Sequence, residues 1–278
     1  MAEAQFIDTV VGRLKVTTVG TGAPAVLWHS LFVDERSWQR VAEELARDHT
    51  VILITGPGHG DSGDPHRRYD LLQCARAAEE VLDALGVAEP VDWVGNAWGG
   101  HVGLRFATAY PRRIRSLVTI GTPVQALATA ERVRTRFLLL VHRLLGPTGF
   151  LVGAVVETLL SPSTRESDPE AVALVRRSFV EADPRQLRNA VASISLHRED
   201  LAALLPRITL PTLMVTGEQH GGWTPAQAAA VITTMPRGRV AVVADAAYLV
   251  PLEQPDAVAA LVRDFWASAI AKASGGQR

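Results

Sequence analysis

Short apolar runs alternate with helical patterns along the first half of the chain. Runs rich in β-branched residues, each ended by turn-forming residues, are typical of buried strands, and they occupy 25–29, 51–55, 91–95 and 116–120. Stretches with helical periodicity separate them, at 37–48, 70–86 and 98–110. Strands alternating with helices at this spacing predict right-handed crossovers and a parallel sheet.

The pattern changes after residue 123. Residues 124–207 show helical periodicity and no convincing strand, and strand-like runs resume at 212–216 and 239–244. The simplest account is a helical insertion between two halves of one sheet. We therefore predict a single α/β core of residues 1–123 and 208–278, with a helical cap at 124–207.

Composition places few further limits on function. Hydrophobic residues make up 47% of the 278, and 28 basic residues nearly balance 29 acidic ones. The overall charge therefore points to neither nucleic acid nor an anionic membrane as a partner. The one cysteine, Cys74, has no partner for an internal disulfide. We expect a cytoplasmic protein that acts on a small molecule, with no cofactor and no metal.

Four motifs lie in order, each after a predicted strand. They are "VLWHSLFVDERSW" (26–38), "GPGHGDSG" (56–63), "GNAWGG" (95–100) and "DAAYLVPLEQP" (245–255). Together they resemble the α/β-hydrolase family over nearly the whole chain. The resemblance implies the family's eight-stranded, mostly parallel sheet with a helical cap, and it identifies "GNAWGG" with the family's nucleophile elbow.

The glycines of "GNAWGG" fit such an elbow. A strand that turns abruptly into a helix crowds the residues two before and two after its central residue, and Gly95 and Gly99 occupy those places. The backbone N–H of Trp98 then lies at a helix N-terminus. With the N–H of Leu31, it is expected to form an oxyanion hole.

The departures from the family pattern concern the residues that carry its chemistry. The place of the nucleophile is Ala97, whose methyl group cannot attack a carbonyl. In the aligned motifs, His220 stands at the place of the catalytic aspartate and Tyr248 at that of the catalytic histidine. No member of a Ser-His-Asp set remains under this alignment.

Three functions are compatible with these departures. The first is an enzyme in which His220 and Tyr248 perform non-covalent acid–base chemistry, such as isomerisation, cyclisation or a lyase-like step. The second is a catalytically silent, ligand-binding pseudoenzyme. The third is an ester or lactone hydrolase whose serine has been replaced by alanine at position 97.

The remaining candidates concern the pocket. We expect the ligand to be apolar and oxygen-bearing because the helical insertion is rich in apolar residues. Trp98 and Trp223 flank the site positions, which favours an aromatic or polyketide-like skeleton. The expected pocket residues are His29, Ser30, Asn96, Trp223, Phe137 and Phe150. For His29, bracing the neighbouring loop through backbone hydrogen bonds is the favoured role.

Overall fold

The computed structural model describes the backbone of residues 3–275 and the side chains of residues 3–269. An eight-stranded sheet forms its centre, in the order β1-β2-β4-β3-β5-β6-β7-β8. The strands are β1 (Glu3–Thr9), β2 (Gly12–Val19), β3 (Ala23–Trp28), β4 (His49–Ile54), β5 (Val91–Asn96), β6 (Ile114–Ile120), β7 (Thr212–Gly217) and β8 (Gly238–Val243). The strands β1 and β2 pair antiparallel, as do β2 and β4, and every other pairing is parallel. The predicted fold class is confirmed.

Eleven α-helices connect or follow the strands within the described residues. They are α1 (Gln39–Leu45), α2 (Leu71–Ala84), α3 (Trp98–Ala109), α4 (Thr129–Leu145), α5 (Gly149–Leu159), α6 (Pro162–Ser167), α7 (Pro169–Glu181), α8 (Pro184–Val191), α9 (Pro225–Ile232), α10 (Val250–Glu253) and α11 (Pro255–Gly275). Several begin with proline in the first turn after a capping side chain, as α6 does after Ser161. This arrangement fits helix starts because proline lacks the N–H that the first turn leaves unbonded.

The two faces of the sheet bury separate apolar clusters. In β3, Val26 and Trp28 belong to one cluster, while Ala25 and Leu27 belong to the other. Alternate side chains of a strand point to opposite faces, so a central strand covered on both sides must be apolar throughout. This explains the continuous apolar runs in the sequence.

Residues 121–211 contain helices and no strand, although β6 and β7 pair directly in the sheet. These residues therefore leave the sheet and return to the neighbouring position. The backbone N–H of Leu201 donates to the carbonyl of Val124 at 2.8 Å, which joins the two ends of the excursion. Its treatment as a cap with limits at 124 and 207 stays a prediction.

Helices of membrane-crossing length and hydropathy were not found in the described part of the chain.

Candidate active site

A sharp turn between β5 and α3 places Ala97 at the carboxyl edge of the sheet. Ala97 has φ 47° and ψ −98°, a conformation that costs free energy for any residue with a Cβ. A Cβ added at Gly95 would lie 2.1 Å from the carbonyl carbon of Gly99, and one at Gly99 would lie 2.0 Å from the carbonyl oxygen of Trp28. Both glycines are therefore required by close approach of the backbone.

Two backbone amides beside this turn are free to bind a ligand. The carbonyl of His29 accepts a hydrogen bond from the N–H of Gly99 at 3.1 Å, which holds the loop after β3 against the start of α3. The N–H groups of Leu31 and Trp98 have no acceptor among the described residues. The Trp98 amide lies in the first turn of α3, where the helix dipole favours negative charge.

His29 holds the loop after β3 in place. Its Nδ1 lies 2.6 Å from the carbonyl oxygen of Ser30, and its Nε2 accepts from the N–H of Gly56 at 2.8 Å. Burial lowers the pKa of the ring, so it is neutral at pH 7. Since both ring nitrogens are occupied by backbone groups, the geometry fits the bracing role and leaves no nitrogen for a ligand.

His220 lies in the loop after β7 and is 3% exposed. Its Nδ1 accepts from the N–H groups of Gly222 at 3.1 Å and Trp223 at 3.0 Å, which assigns the ring proton to Nε2. That Nε2 has no partner of good geometry among the described residues. Burial lowers the pKa of the imidazole to about 4, against the opposing effect of the carbonyls of Gly121 and of His220 itself. At pH 7, His220 is a neutral hydrogen-bond donor.

Tyr248 lies in the loop after β8, and its ring contacts that of His220 with centroids 4.7 Å apart. The side-chain amide of Asn96 donates to the carbonyls of Ile120 at 3.0 Å and Tyr248 at 3.2 Å, and so fixes this loop beside the turn. Burial raises the pKa of the phenol, against the opposing effects of the Arg198 guanidinium and the Ser30 hydroxyl. The phenol is therefore protonated at pH 7.

Gly121 connects these loops to Ala97. A Cβ at Gly121 would lie 3.2 Å from the carbonyl oxygen of Tyr248 and 3.3 Å from Nε2 of His220. The preceding residue, Ile120, accepts a hydrogen bond from the N–H of Ala97 at 2.7 Å. The structure thus brings Ala97, His220 and Tyr248 to one edge of the sheet. No hydrogen bond joins the two rings to each other among those the structure describes.

Sequence reasoning missed Arg198, which follows a short π-helical turn (Ala192–Leu196) at the end of the helical excursion. Its guanidinium donates to the carbonyl of Gln125 at 2.6 Å, while its Nε is buried without a partner. No carboxylate of the described residues lies within ion-pair distance. Burial lowers the pKa of Arg198, against the opposing effect of Tyr248 and two acidic residues. No local motif marks this arginine, because it is about 100 residues from the elbow along the chain.

The expectation that Phe137 and Phe150 line a dry pocket is wrong for this structure. They are 62% and 72% exposed. The helices α4 and α5 pack inward through other side chains, among them His142 and Leu151, so these two phenyl rings face outward. Trp223, by contrast, is 1% exposed, and its carbonyl accepts from the Thr216 hydroxyl at 2.6 Å.

The site is buried around Ala97, while Tyr248 is partly exposed. Ala97 is 1% exposed and Ser30 is fully buried. The N–H of Leu249 donates to the carbonyl of Leu159 at 3.1 Å, which joins the Tyr248 loop to the end of α5. Cavities of about 270 and 240 Å³ lie away from Ala97. Clusters of three or more residues able to hold a metal ion were not found in the described part of the chain.

Comparison with known proteins gives a consistent family. The sequence profile of the alpha/beta hydrolase family matches residues 25–261. The chain is 28% identical over 239 residues to the dihydrolipoyllysine-residue acetyltransferase component of the acetoin cleaving system of Pseudomonas putida, covering 85% of this chain and 61% of that protein. It is 36% identical over 107 residues to a 2-hydroxy-6-oxo-2,4-heptadienoate hydrolase of Pseudomonas putida, which covers 37% of this chain and 38% of that one.

Among solved structures, a thermophilic esterase from Thermogutta terrifontis superposes with a TM-score of 0.89 at 26% identity, covering 96% of this chain and 99% of the esterase. The chain spans less than two thirds of the length of the two curated relatives but nearly all of the esterase.

Proposed function

The chain belongs to the alpha/beta hydrolase family, and on that premise we propose that it acts on a small oxygen-bearing molecule at the elbow without forming an acyl-enzyme. The observation that supports this most directly is the strained backbone of Ala97. A turn that costs free energy is kept, with its two free amides, although the residue at its centre has no nucleophilic atom.

The proposed chemistry is polarisation of a substrate oxygen by hydrogen-bond donors. The donors at the site are the amides of Leu31 and Trp98, Nε2–H of His220 and the Tyr248 hydroxyl, which lies near the Ser30 hydroxyl. Donors fixed in a dry site stabilise the negative charge that develops on a carbonyl or enolate oxygen. Tyr248 is the proposed acid, and the nearby Arg198 stabilises the phenolate that a full proton transfer would leave.

His220 is proposed as a donor and not as a base. Its single lone pair, on Nδ1, already accepts from two backbone amides. A step that removes a proton therefore uses water or a group of the substrate itself. Isomerisation, cyclisation and lyase-like reactions of carbonyl compounds suit such a site, because raising the electrophilicity of the carbonyl is a large part of their catalysis.

The same geometry argues against a serine hydrolase altered only at position 97. A serine in place of Ala97 needs a neighbouring base, and neither His220 nor Tyr248 offers a free basic atom at pH 7. We therefore expect Ala97→Ser to show no burst of acyl-enzyme with an activated ester. A burst would instead favour an ester or lactone hydrolase whose serine has been replaced by alanine at position 97.

Ligand binding without turnover is the second candidate, and it is favoured because the lone pair of His220 Nδ1 is already occupied by two backbone amides. The test is Tyr248→Phe, because a binding site needs at most a hydrogen bond from this hydroxyl whereas an enzyme needs an acid. We would screen lactones, enol esters, dienoates and β-dicarbonyl compounds for a thermal shift, then follow the binders by NMR for conversion.

The expected result is conversion of a binder by the wild type and a loss of about 10²–10⁴-fold in Tyr248→Phe, with affinity nearly unchanged. Tyr110→Phe is the matched control, since Tyr110 caps α3 at the end away from Ala97. Unchanged conversion in Tyr248→Phe would contradict the proposed mechanism. If the wild type binds compounds but converts none of them, ligand binding without turnover is the function that remains.

A further inference from the structure

One side of α4 presents large apolar side chains to solvent. Val133, Phe137, Leu140 and Leu144 are 60%, 62%, 52% and 71% exposed. Their spacing of four, three and four residues places them within about 60° of one another around the helix axis. Two more exposed side chains are Leu145, the last residue of α4, at 68%, and Phe150, in the first turn of α5, at 72%. We call these six residues the outer α4 face.

This concentration is unusual for the molecule. Of the eleven large apolar side chains that are exposed among the described residues, six belong to the outer α4 face. Contiguous exposed apolar patches on soluble proteins commonly mark an interaction site. The opposite side of α4 packs against the protein. It buries His142, whose ring contacts Phe179 with centroids 5.5 Å apart.

Positive charge flanks the outer α4 face on both sides. Residues 132–145 contain four arginines and one histidine but no acidic residue. By helical spacing, Arg136 and Arg143 lie along one border of the stripe that runs from Val133 to Leu144, and Arg134 lies along the other. All three are exposed, and no carboxylate of the described residues lies within ion-pair distance of them.

The arginines of α4 also act on groups of neighbouring elements. Burial lowers the pKa of Arg188 in α8, and the charges of Arg143 and Arg185 lower it further against the opposing effect of Asp183. Burial likewise lowers the pKa of His197, as do three nearby arginines, Arg68, Arg136 and Arg132. The positive field is therefore local, in a chain whose net charge is −1.

We infer that the outer α4 face binds the surface of an anionic lipid membrane. A helix with an apolar stripe bordered by arginines matches the structure of helices that lie in the interface plane, with the stripe among the acyl chains and the cations at the headgroups. The helix is about 25 Å long and carries four arginines, so it lies on a membrane and does not cross one.

Charge decides between a membrane and a second copy of the chain. Two outer α4 faces meeting each other would bring unpaired arginines from both copies together, which opposes association. An anionic surface neutralises the same arginines. Lipid is therefore the occupant that both the apolar stripe and its borders fit.

The experiment is co-sedimentation with vesicles of phosphatidylcholine alone and of phosphatidylcholine mixed with phosphatidylglycerol. We expect binding to the mixed vesicles that salt weakens, and at least about tenfold weaker binding to phosphatidylcholine alone. Phe137→Ser with Leu144→Ser removes apolar contact, and Arg134→Gln with Arg136→Gln and Arg143→Gln removes charge. Each variant should lose about tenfold or more in binding.

Matched controls change the same chemistry elsewhere. Phe6→Ser with Val242→Ser replaces exposed apolar residues of β1 and β8, and Arg112→Gln with Arg207→Gln and Arg237→Gln removes three unpaired charges. Both controls should bind as the wild type does. No binding to mixed vesicles, or equal losses in variants and controls, would overturn the inference. So would a stable dimer in sedimentation velocity that Phe137→Ser with Leu144→Ser dissociates, since the face would then be a self-interface.

Discussion

At the residue scale, the titration of His220 offers a test of the site that needs no substrate. The unfolded imidazole has a pKa of about 6.5, whereas burial lowers the folded value to about 4. Between these values the unfolded chain binds a proton that the folded chain does not. The free energy of unfolding therefore falls as the pH falls from about 6.5 to about 4, and His220 accounts for about 3 kcal/mol of that fall.

The measurement is urea unfolding of the wild type and His220→Gln at several pH values. Burial also lowers the pKa of His29, His59 and His101, so both proteins should lose stability in acid. The variant should lose about 3 kcal/mol less between pH 6.5 and 4. Parallel curves would show that His220 titrates normally and that its ring is not held as described.

The sequence predicts the elbow well because its constraint is local. Gly95 and Gly99 are dictated by atoms only a few residues away or on the adjacent strand, and the motif contains them. The state of His220 could not be predicted, since it depends on the path of the next three residues, which direct two amides at Nδ1. Arg198 could not be found either, because only the return of the helical excursion brings it to Tyr248.

At the element scale, Glu253 of α10 holds the helical excursion against the Tyr248 loop. Its carboxylate accepts from the N–H of Ser161 at 2.7 Å, the hydroxyl of Thr164 at 3.1 Å and the N–H of Ala247 at 2.9 Å. Glu253→Gln would turn an N–H₂ group toward at least one of these donors. We expect a loss of about 1–3 kcal/mol and faster amide exchange in residues 159–167 and 245–249.

Exchange measured by mass spectrometry checks this expectation. Glu166→Gln is the control, because Glu166 is exposed on α6 and its side chain makes no hydrogen bond in the described part of the chain. An unchanged exchange rate at 245–249 in Glu253→Gln would contradict the bridging role.

The error over Phe137 and Phe150 also belongs to the element scale. The helix α4 is apolar on two sides, with Leu138 and His142 directed inward and Phe137 and Leu140 outward. Apolar periodicity shows that such a helix has faces, but it does not show which face meets the core. The arginines between the two faces are the feature of the sequence that distinguishes them, because charged side chains next to an apolar face indicate that this face lies near a polar environment.

At the scale of the whole molecule, the sheet was predictable because its strands are buried on both sides and each ends in turn-forming residues. The limits of the helical excursion were harder to predict, since helical patterns run through both the part that packs on the main core and the part that does not. Its last segment contributes Ala190, Ile194, Leu201, Leu204 and Leu205 to the main core. By contrast, α5 and α7 bury their side chains in two small separate clusters.

Because the two parts of the helical excursion (residues 121–211) are buried in different clusters, we predict that the excursion does not open as one unit. No buried residue of 129–181 belongs to the main cluster, and the smaller cluster that these residues share with the α/β body includes only Val33, Leu249 and Leu252 from it. Their amides should therefore exchange through a local opening at a lower free energy than global unfolding. Residues 190–208 share the main core and should exchange only when β5 does. We would measure native-state hydrogen exchange at increasing denaturant concentration. The exchange free energies of the two groups of amides should differ at low denaturant and become equal at high denaturant, where global unfolding dominates. A single denaturant dependence for both groups would contradict the division and would favour the limits of 124 and 207 that the sequence suggests. Opening of 129–181 alone would also give ligands a route to the buried Ala97 without loss of the core.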